Sequence, residues 1–114
     1  MDTNLLGETL AIKNGVTYYG FWMPAGGNNG VAAAEVFYST PANGFKVFLE
    51  TKSSDEPDTA AMPIGNVTVT AAVSTPTSYQ MLVADAKDLV RYALQALENG
   101  IIHLQYAQPL WQPN

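Results

Sequence analysis

The chain has 114 residues, a formal net charge of −5 and no cysteine. Its length fits one domain that buries roughly two-thirds of its unfolded surface, so folding needs neither a disulfide nor a structural metal. The five basic residues are scattered singly, which argues against a nucleic-acid-binding surface. No apolar run approaches the ~20 residues of a membrane span, and the start of the chain lacks the pattern of a secretory signal. The sequence therefore predicts a soluble protein with neither nucleic-acid nor membrane partners.

Charged residues are unusually scarce. They make up 13% of the chain, whereas ~25% is usual. Low charge with ample aromatic content is typical of permanent interfaces, whose buried centres are depleted in charge. An extracellular-type β-domain has the same composition, so both interpretations stay open.

Four Asn-Gly dipeptides lie beside runs of strand-forming residues. Asn-Gly is a strong signal for a tight turn between antiparallel strands. The alternating runs between these turns predict an all-β fold, an antiparallel β-sandwich of about seven to eight strands with jelly-roll or immunoglobulin-like topology. The dipeptides are Asn14-Gly15, Asn29-Gly30, Asn43-Gly44 and Asn99-Gly100.

The sandwich domain is predicted to span residues 16–114. Residues 1–15 contain large apolar side chains without a clean period. They predict either an edge strand or an arm that docks on a neighbouring copy.

The first firm strand is predicted at residues 16–23. It places Tyr19 and Phe21 on one face and Tyr18 and Trp22 on the other. One sheet covers only one of these faces, and soluble monomers usually avoid exposing such a patch. We therefore predict a homo-oligomer in which the first strand or the N-terminal arm contacts another copy.

Two further strands are predicted at 31–38 and 45–52, paired with each other across the intervening loop. Phe37 and Phe48 would then stand together on the outer face of one sheet. Alternation assigns the opposite set to the core: Ala32, Ala34, Val36, Tyr38, Phe45, Val47, Leu49 and Thr51.

The segment after this pair is predicted to be a polar loop at 53–63, followed by strands at 67–73 and 79–83. Alanine and leucine residues within 79–98 also fall at helical spacing. A helix there is the alternative to strands.

The C-terminal part predicts a hairpin that closes the sandwich. A three-residue loop ending at Gly100 sets Leu94 opposite Leu104 and Tyr92 opposite Tyr106. A two-residue loop would instead put the polar set on the core face. The pattern therefore predicts a type I turn followed by a bulge, with Gly100 at positive φ, and one core that joins Leu94, Leu104, Val47 and Leu49.

No combination of residues predicts catalysis or a cofactor. His103 is the only histidine, and strand parity places it outward beside Gln95, which leaves a histidine metal site or catalytic triad with little support. Glu35 and Glu50 could pair across neighbouring strands, but glycoside hydrolysis also needs a deep cleft. The acidic residues of the 53–63 loop lack the donor spacing and central glycine of a calcium loop. We predict a protein that is not an enzyme.

Aromatic side chains are the candidate contact points. Trp111 lies between Pro109 and Pro113, which cannot donate to a strand ladder, so it either plugs the end of the sandwich or is presented to a partner. Aromatic rings could alternatively form a stacking platform for sugars. The candidate interface residues are Tyr18, Trp22, Phe37, Phe48 and Trp111.

The C-terminal pattern resembles small β-sandwich virion proteins of tailed bacteriophages, the capsid decoration or cement proteins. It consists of LVRY at 89–92, then Gly100, then PLWQPN at 109–114. A looser similarity extends back through FKVFLETKSSD and VTVTAAV. The resemblance implies a non-enzymatic protein made in the host cytoplasm that sits on the capsid surface, binds the major capsid protein and stabilises the capsid. It assigns no individual site residue. The alternative function is a carbohydrate-binding or receptor-binding β-sandwich module.

Overall fold

Residues 8–40 and 44–112 are described by the computed structural model, and their strands form two antiparallel sheets packed face to face. A single 3₁₀ turn, Asp58–Ala60, is the one helical element in these ranges. The predicted all-β sandwich is confirmed. The strands are β1 Glu8–Ile12, β2 Thr17–Tyr19, β3 Met23–Pro24, β4 Gly30–Ser39, β5 Phe45–Lys52, β6 Met62–Val69, β7 Thr77–Val83, β8 Leu89–Ala96, β9 Gly100–Tyr106 and β10 Leu110–Trp111.

The topology is that of a jelly roll. Sheet A has the order β1-β9-β4-β7, and the short β10 continues the line of β9 along β4. Sheet B has the order β2-β8-β5-β6, and β3 continues the line of β2 along β8. Most connections cross from one sheet to the other, and the N-terminal strand pairs with the C-terminal β9. Two Greek keys wound in this way define the jelly roll.

The core lies between the inner faces of the two sheets. Val47, Leu49 and Leu94 of sheet B are fully buried, and so is Leu104 of sheet A. The predicted core is therefore confirmed. Its continuity follows from strand parity, because alternate side chains of every central strand point into the same layer.

Tyr92 joins the two sheets through the core. It belongs to β8 in sheet B, yet its hydroxyl donates to the carbonyl oxygen of Ala107 at 2.5 Å and accepts from the amide of Ala33 at 3.1 Å. Its ring stacks on that of Tyr106 in sheet A, with centroids 4.4 Å apart. Burial raises the pKa of Tyr92 to about 12, because a phenolate would be poorly solvated between the sheets.

The predicted closing hairpin is wrong, although the side chains predicted to face the core do so. Leu94 and Leu104 are both buried, but β8 and β9 lie in different sheets and their side chains meet across the core rather than side by side. Facing sheets satisfy the same alternation as neighbouring strands, so parity alone does not identify the partner. Gly100 accordingly lacks the left-handed conformation of a bulged turn; among the described glycines, Gly15 and Gly44 have positive φ.

The predicted pairing of the strands at 31–38 and 45–52 is also wrong. The first is in sheet A and the second in sheet B, so Phe37 and Phe48 lie on opposite outer faces. A bulge between Val36 and Tyr38 then shifts the register of β4. Tyr38 is therefore exposed rather than inward, whereas the strand at 45–52 and its inward set are confirmed.

The predicted strand at 16–23 is interrupted between β2 and β3. Its two pieces flank the same neighbour, β8, and the break at Gly20–Trp22 reverses which side chains face the core. Tyr18 and Met23 both pack against the core as a result, although an unbroken strand over residues 16–23 would place them on opposite faces.

The remaining elements differ mainly at their ends. The strand predicted at 67–73 runs from Met62 to Val69, and that at 79–83 begins at Thr77. The helix alternative for 79–98 is wrong, since β7 and β8 occupy it. Residues 8–12 form the edge strand β1, while residues 1–7 lie outside the described part of the chain. No helix in that part is long and apolar enough to cross a membrane.

A comparison of Gly44 with Gly15 distinguishes two energetic costs of adding a side chain, backbone strain and steric overlap. Both have positive φ, but a Cβ at Gly44 would collide with the carbonyl oxygen of Val69, whereas a Cβ at Gly15 meets nothing within 4 Å. We expect Gly15→Ala to lower the free energy of unfolding by about 1–2 kcal/mol and Gly44→Ala by a further ~1–3 kcal/mol. Urea unfolding measures both, and equal losses would contradict the close packing at Gly44.

Candidate functional site

The outer faces of the two sheets differ in charge. On the outer face of sheet A, the described side chains include only two with a carboxylate or imidazole, Glu35 and His103. We call this surface the neutral face. Its other members are Thr9, Ala11, Val31, Ala33, Phe37, Tyr38, Ser78, Gln80, Leu82, Ile101, Gln105 and Leu110.

The two most exposed apolar side chains of the neutral face flank the half-buried Val31 in one cross-strand row. Val31 of β4 pairs with Leu82 of β7 on one side and with Leu110 of β10 on the other. Leu82 is 81% exposed and Leu110 is 74% exposed. Because all three residues lie on paired strands, this apolar row is held rigidly in place.

Aromatic rings lie at the opposite end of the neutral face. The rings of Phe37 and His103 are 5.0 Å apart, and Tyr38 contacts His103 edge-on at 6.3 Å. The bulge in β4 produces this cluster, because it turns Phe37 and Tyr38 outward together. His103 is therefore outward as predicted, but it lies in the other sheet from Gln95.

The outer face of sheet B carries a buried ionic and aromatic cluster around Arg91. Its Nε donates to Glu50 at 2.9 Å, and both side chains are only 11% exposed. The guanidinium lies 4.0 Å from the Tyr19 ring centroid and 4.4 Å from that of Trp22. A planar guanidinium can stack on aromatic rings and bind a carboxylate at the same time, which an ammonium does poorly.

The 53–61 loop folds over this cluster and is held by ion pairs. Lys52 binds Asp58 at 3.0 Å, and Arg91 approaches the same carboxylate at 3.7 Å. The Lys52 hydrogen bond lowers the pKa of Asp58. The pKa of Glu56 is also lowered, first by the amide of Ser53 and then by Lys87.

Trp22 is enclosed rather than presented. Its ring lies against Arg91 and is also 5.0 Å from the ammonium of Lys52. The indole Nε1 is buried without a hydrogen bond of ordinary geometry, although its proximity to Asp58 helps to lower the pKa of that carboxyl. Two cations therefore lie against the ring, and the side chain is only partly exposed.

Trp111 also packs inward, at the end of sheet A. The indole is half-buried against the core, and the glycines of the 24–30 loop make room for it. A Cβ at Gly26 would lie 2.5 Å from its Cδ1, and one at Gly30 would lie 3.1 Å from its Cε3. This glycine-rich loop was visible in the sequence, but its role as a seat for Trp111 was not.

The five predicted interface residues do not form one surface. Phe37 lies on the neutral face, whereas Trp22 and Phe48 belong to the outer face of sheet B, where Phe48 neighbours Ala93. Tyr18 packs against the core, and its hydroxyl accepts from the amide of Lys13 at 2.9 Å. Trp111 closes the end of the sandwich.

Sequence reasoning missed the two features that organise these faces. Arg91 could have been found as the single charge within the otherwise uncharged strand 89–96. Leu82 and Leu110 could have been found only with the strand pairing in hand, because Leu82 is ordinary in sequence and the β10 register places Leu110 beside Val31.

Neither the carboxylate pair considered from the sequence nor a metal-binding cluster is formed within residues 8–40 and 44–112. Glu35 and Glu50 lie on different sheets, and no three metal-binding side chains cluster in these ranges. A shallow depression of about 500 Å³ lies between β6 and the 84–87 loop, with Met62, Ile64, Asp85 and Lys87 in its lining. It contains no aromatic residue on which a sugar could stack.

No protein-family model matches the sequence, and no curated protein matches it. Among solved structures, the fold is similar to part of a glycoside hydrolase family 43 arabinoxylan arabinofuranohydrolase from Bacillus subtilis, determined in complex with cellotetraose. The TM-score is 0.52 at 16% identity, over 88% of this chain and 20% of that chain. At this identity the similarity shows a shared fold.

Removal of the Arg91 side chain should destabilise the fold, because the buried carboxylate of Glu50 then has no cation beside it. We expect Arg91→Ala to lower the free energy of unfolding by about 3–5 kcal/mol, because a buried carboxylate loses its cation. The double variant Arg91→Met/Glu50→Leu should lose much less, since apolar groups can replace a buried ion pair. Urea unfolding of the single and double variants measures this difference. Lys46→Ala on the same face is the control, and equal losses in the single and double variants would contradict the pairing.

Acid should release the 53–61 loop. The folded pKa of Asp58 and of Glu56 lies below the ordinary values of 3.8 and 4.5, so ionisation favours the docked loop above those values. This contribution is lost as pH falls through the lowered folded pKa. Trp22 fluorescence in a Trp111→Phe background should change below about pH 4. The same acid transition in Asp58→Asn would contradict a role for the Lys52–Asp58 pair.

Proposed function

We propose that this protein is a non-enzymatic phage structural protein that decorates a capsid and stabilises it, and that the neutral face contacts the major capsid protein. The observation that carries the proposal is the apolar row Leu82–Val31–Leu110, whose two outer members are strongly exposed on a nearly uncharged sheet. A surface of this kind suits a partner that is itself a large, folded protein surface.

The rigidity of the neutral face favours a lasting contact. Its side chains stand on paired strands, so binding would order little additional backbone and would lose less conformational entropy than a loop-based interface. Leu82 and Leu110 would remove apolar surface from water on docking. Charge depletion lowers the desolvation cost, because Glu35 is the one carboxylate among the described side chains of this face.

The sequence resemblance supplies the identity of the partner. The pattern at 89–92 and 109–114 resembles capsid decoration proteins, and jelly rolls are common among viral capsid domains. Lectin domains also use this fold, and a fold by itself does not assign a function. The choice of a capsid therefore rests on the sequence pattern and on the neutral face together.

Binding to capsids tests the proposal. Purified phage capsids that lack decoration protein are mixed with the chain and sedimented. We expect co-sedimentation, which Leu82→Lys should weaken about tenfold by burying an unpaired charge. Thr68→Lys, an exposed change on the opposite sheet, is the matched control and should bind normally. Absence of co-sedimentation, or equal loss in both variants, would overturn the proposed role or surface.

A carbohydrate-binding module is the second candidate, favoured by a different surface. Phe21 is 65% exposed and Tyr19 is 39% exposed beside the Arg91 cluster, and aromatic rings stack on sugars. The similarity to part of an arabinoxylan-degrading protein is one of fold, and it is compatible with this role.

Oligosaccharide titration distinguishes the two candidates. Trp22 and Tyr19 contact the same guanidinium, so a sugar stacked on Tyr19 or Phe21 should change Trp22 fluorescence. Saturable binding that Phe21→Ala abolishes and Leu82→Lys leaves intact would favour the carbohydrate-binding module. No response with cello- and xylo-oligosaccharides at millimolar concentration would count against it.

A further inference from the structure

The edges of the two sheets are protected to different extents. Exposed strand edges can pair with other chains, and proteins usually block them with interruptions, prolines, bulges or covering segments. Each sheet of this sandwich has two long edges. They are formed by β1 and β7 in sheet A and by the β2/β3 line and β6 in sheet B.

The edges formed by β6 and β7 cover one another. A Cβ at Gly65 of β6 would lie 2.6 Å from the carbonyl oxygen of Leu82 in β7 and 2.7 Å from Cγ1 of Val83. The backbones therefore approach closely on this side of the sandwich. Pro63 and the register shift opposite Glu50 further interrupt the β6 edge.

The edge formed by β2 and β3 is broken. Only three residues pair in β2 and two in β3, and the intervening Gly20–Trp22 segment departs from the ladder. Pro24 then removes an amide from the edge. In the other sheet, the two-residue β10 is flanked in sequence by Pro109 and Pro113.

Among the described residues, 8–40 and 44–112, none of these devices protects the β1 edge. All five residues of β1 pair in regular register with β9, from Glu8 opposite Leu104 to Ile12 opposite Gly100. The outward-pointing backbone groups of β1 have no strand partner anywhere in residues 8–40 and 44–112. Glu8 is the one charged residue of β1, and residues 9–12, TLAI, contain no charge, proline or glycine.

We propose that β1 pairs antiparallel with β1 of a second copy, so that sheet A continues across a two-fold axis. An antiparallel strand pair is self-complementary, as an isologous dimer requires. The occupant is a second copy rather than a foreign strand because β1 is its own complement in this orientation, and the pairing continues both the core layer and the neutral face. Leu10 and Ile12 face the core side, while Thr9 and Ala11 are exposed on the neutral face.

Strand parity restricts the register of this dimer. Core-side residues must meet core-side residues, since a slip of one position would place Leu10 beside exposed side chains. Ala11 then lies opposite either Thr9 or Ala11 of the second copy. In both registers the two Ala11 positions are directly opposite or diagonal, within reach of long side chains. The net charge of −5 opposes association weakly, because salt screens charges beyond ~8 Å.

Charge substitution at Ala11 tests the proposal. Sedimentation equilibrium of the full chain should show a reversible dimer. Ala11→Lys and Ala11→Glu should each raise its dissociation constant by about tenfold, since the two copies would place like charges close together across the axis. An equimolar mixture of the two variants should restore dimerisation. Thr68→Lys, on the β6 edge of the other sheet, is the control and should leave the dimer unchanged.

Hydrogen exchange tests the proposed backbone pairing between the two β1 strands independently of the charge substitutions. Amide hydrogen exchange within residues 8–12 should slow as protein concentration rises through the dissociation constant, and far-ultraviolet circular dichroism confirms that each variant is folded. A monomer at every concentration overturns the proposal. So does a dimer that Leu82→Lys disrupts and the Ala11 variants do not, which would place the contact on the neutral face. These outcomes are independent of capsid binding, so the two proposals succeed or fail separately.

Discussion

The Tyr92 hydroxyl is the polar interaction on which the joining of the two sheets depends. It bridges the amide of Ala33 and the carbonyl of Ala107, two backbone groups of sheet A that lie where β9 gives way to β10. A buried polar group is costly unless it is bonded, and here one side chain from sheet B satisfies two backbone groups of sheet A. The ring stack with Tyr106 fixes the position of the hydroxyl. Relative sliding of the sheets would break all three contacts together.

The charged side chains are concentrated on the outer face of sheet B, and the outer face of sheet A has few. On sheet B, Arg91 gathers Glu50, Asp58, Tyr19 and Trp22 into one enclosed cluster. Such a cluster adds modestly to net stability, because desolvation offsets much of the attraction. Its geometry nevertheless fixes the 53–61 loop over that sheet. Sheet A has no comparable covering segment among the described residues, and its outer face stays accessible and nearly uncharged.

The sequence predicted which side chains are buried far better than which strands are neighbours. Leu94, Leu104, Val47 and Leu49 are all in the core as predicted, because alternation reports only whether a residue faces the apolar layer. Two strands in facing sheets and two adjacent strands of one sheet produce the same alternation. The local sequence pattern therefore could not show that β8 and β9 lie in different sheets. Bulges, as at Phe37, leave little trace in composition yet reverse the pattern beyond them. The neutral face was not predicted because its apolar row depends on which strands are neighbours, namely β7, β4 and β10.

The pairing of β1 with β9 sets a limit on the order of folding. Glu8 pairs with Leu104, so the first described strand finds its neighbour only after the chain has been synthesised as far as β9. During synthesis from the N-terminus, β1 waits with both edges unpaired while β2 to β8 emerge. Contacts between residues so distant in sequence form slowly, because the entropy of closing the long loop is lost before any contact compensates it. The uncharged segment TLAI is thus exposed to other nascent chains for longest, and high local concentration on a shared messenger RNA would favour its meeting a second copy before its own β9.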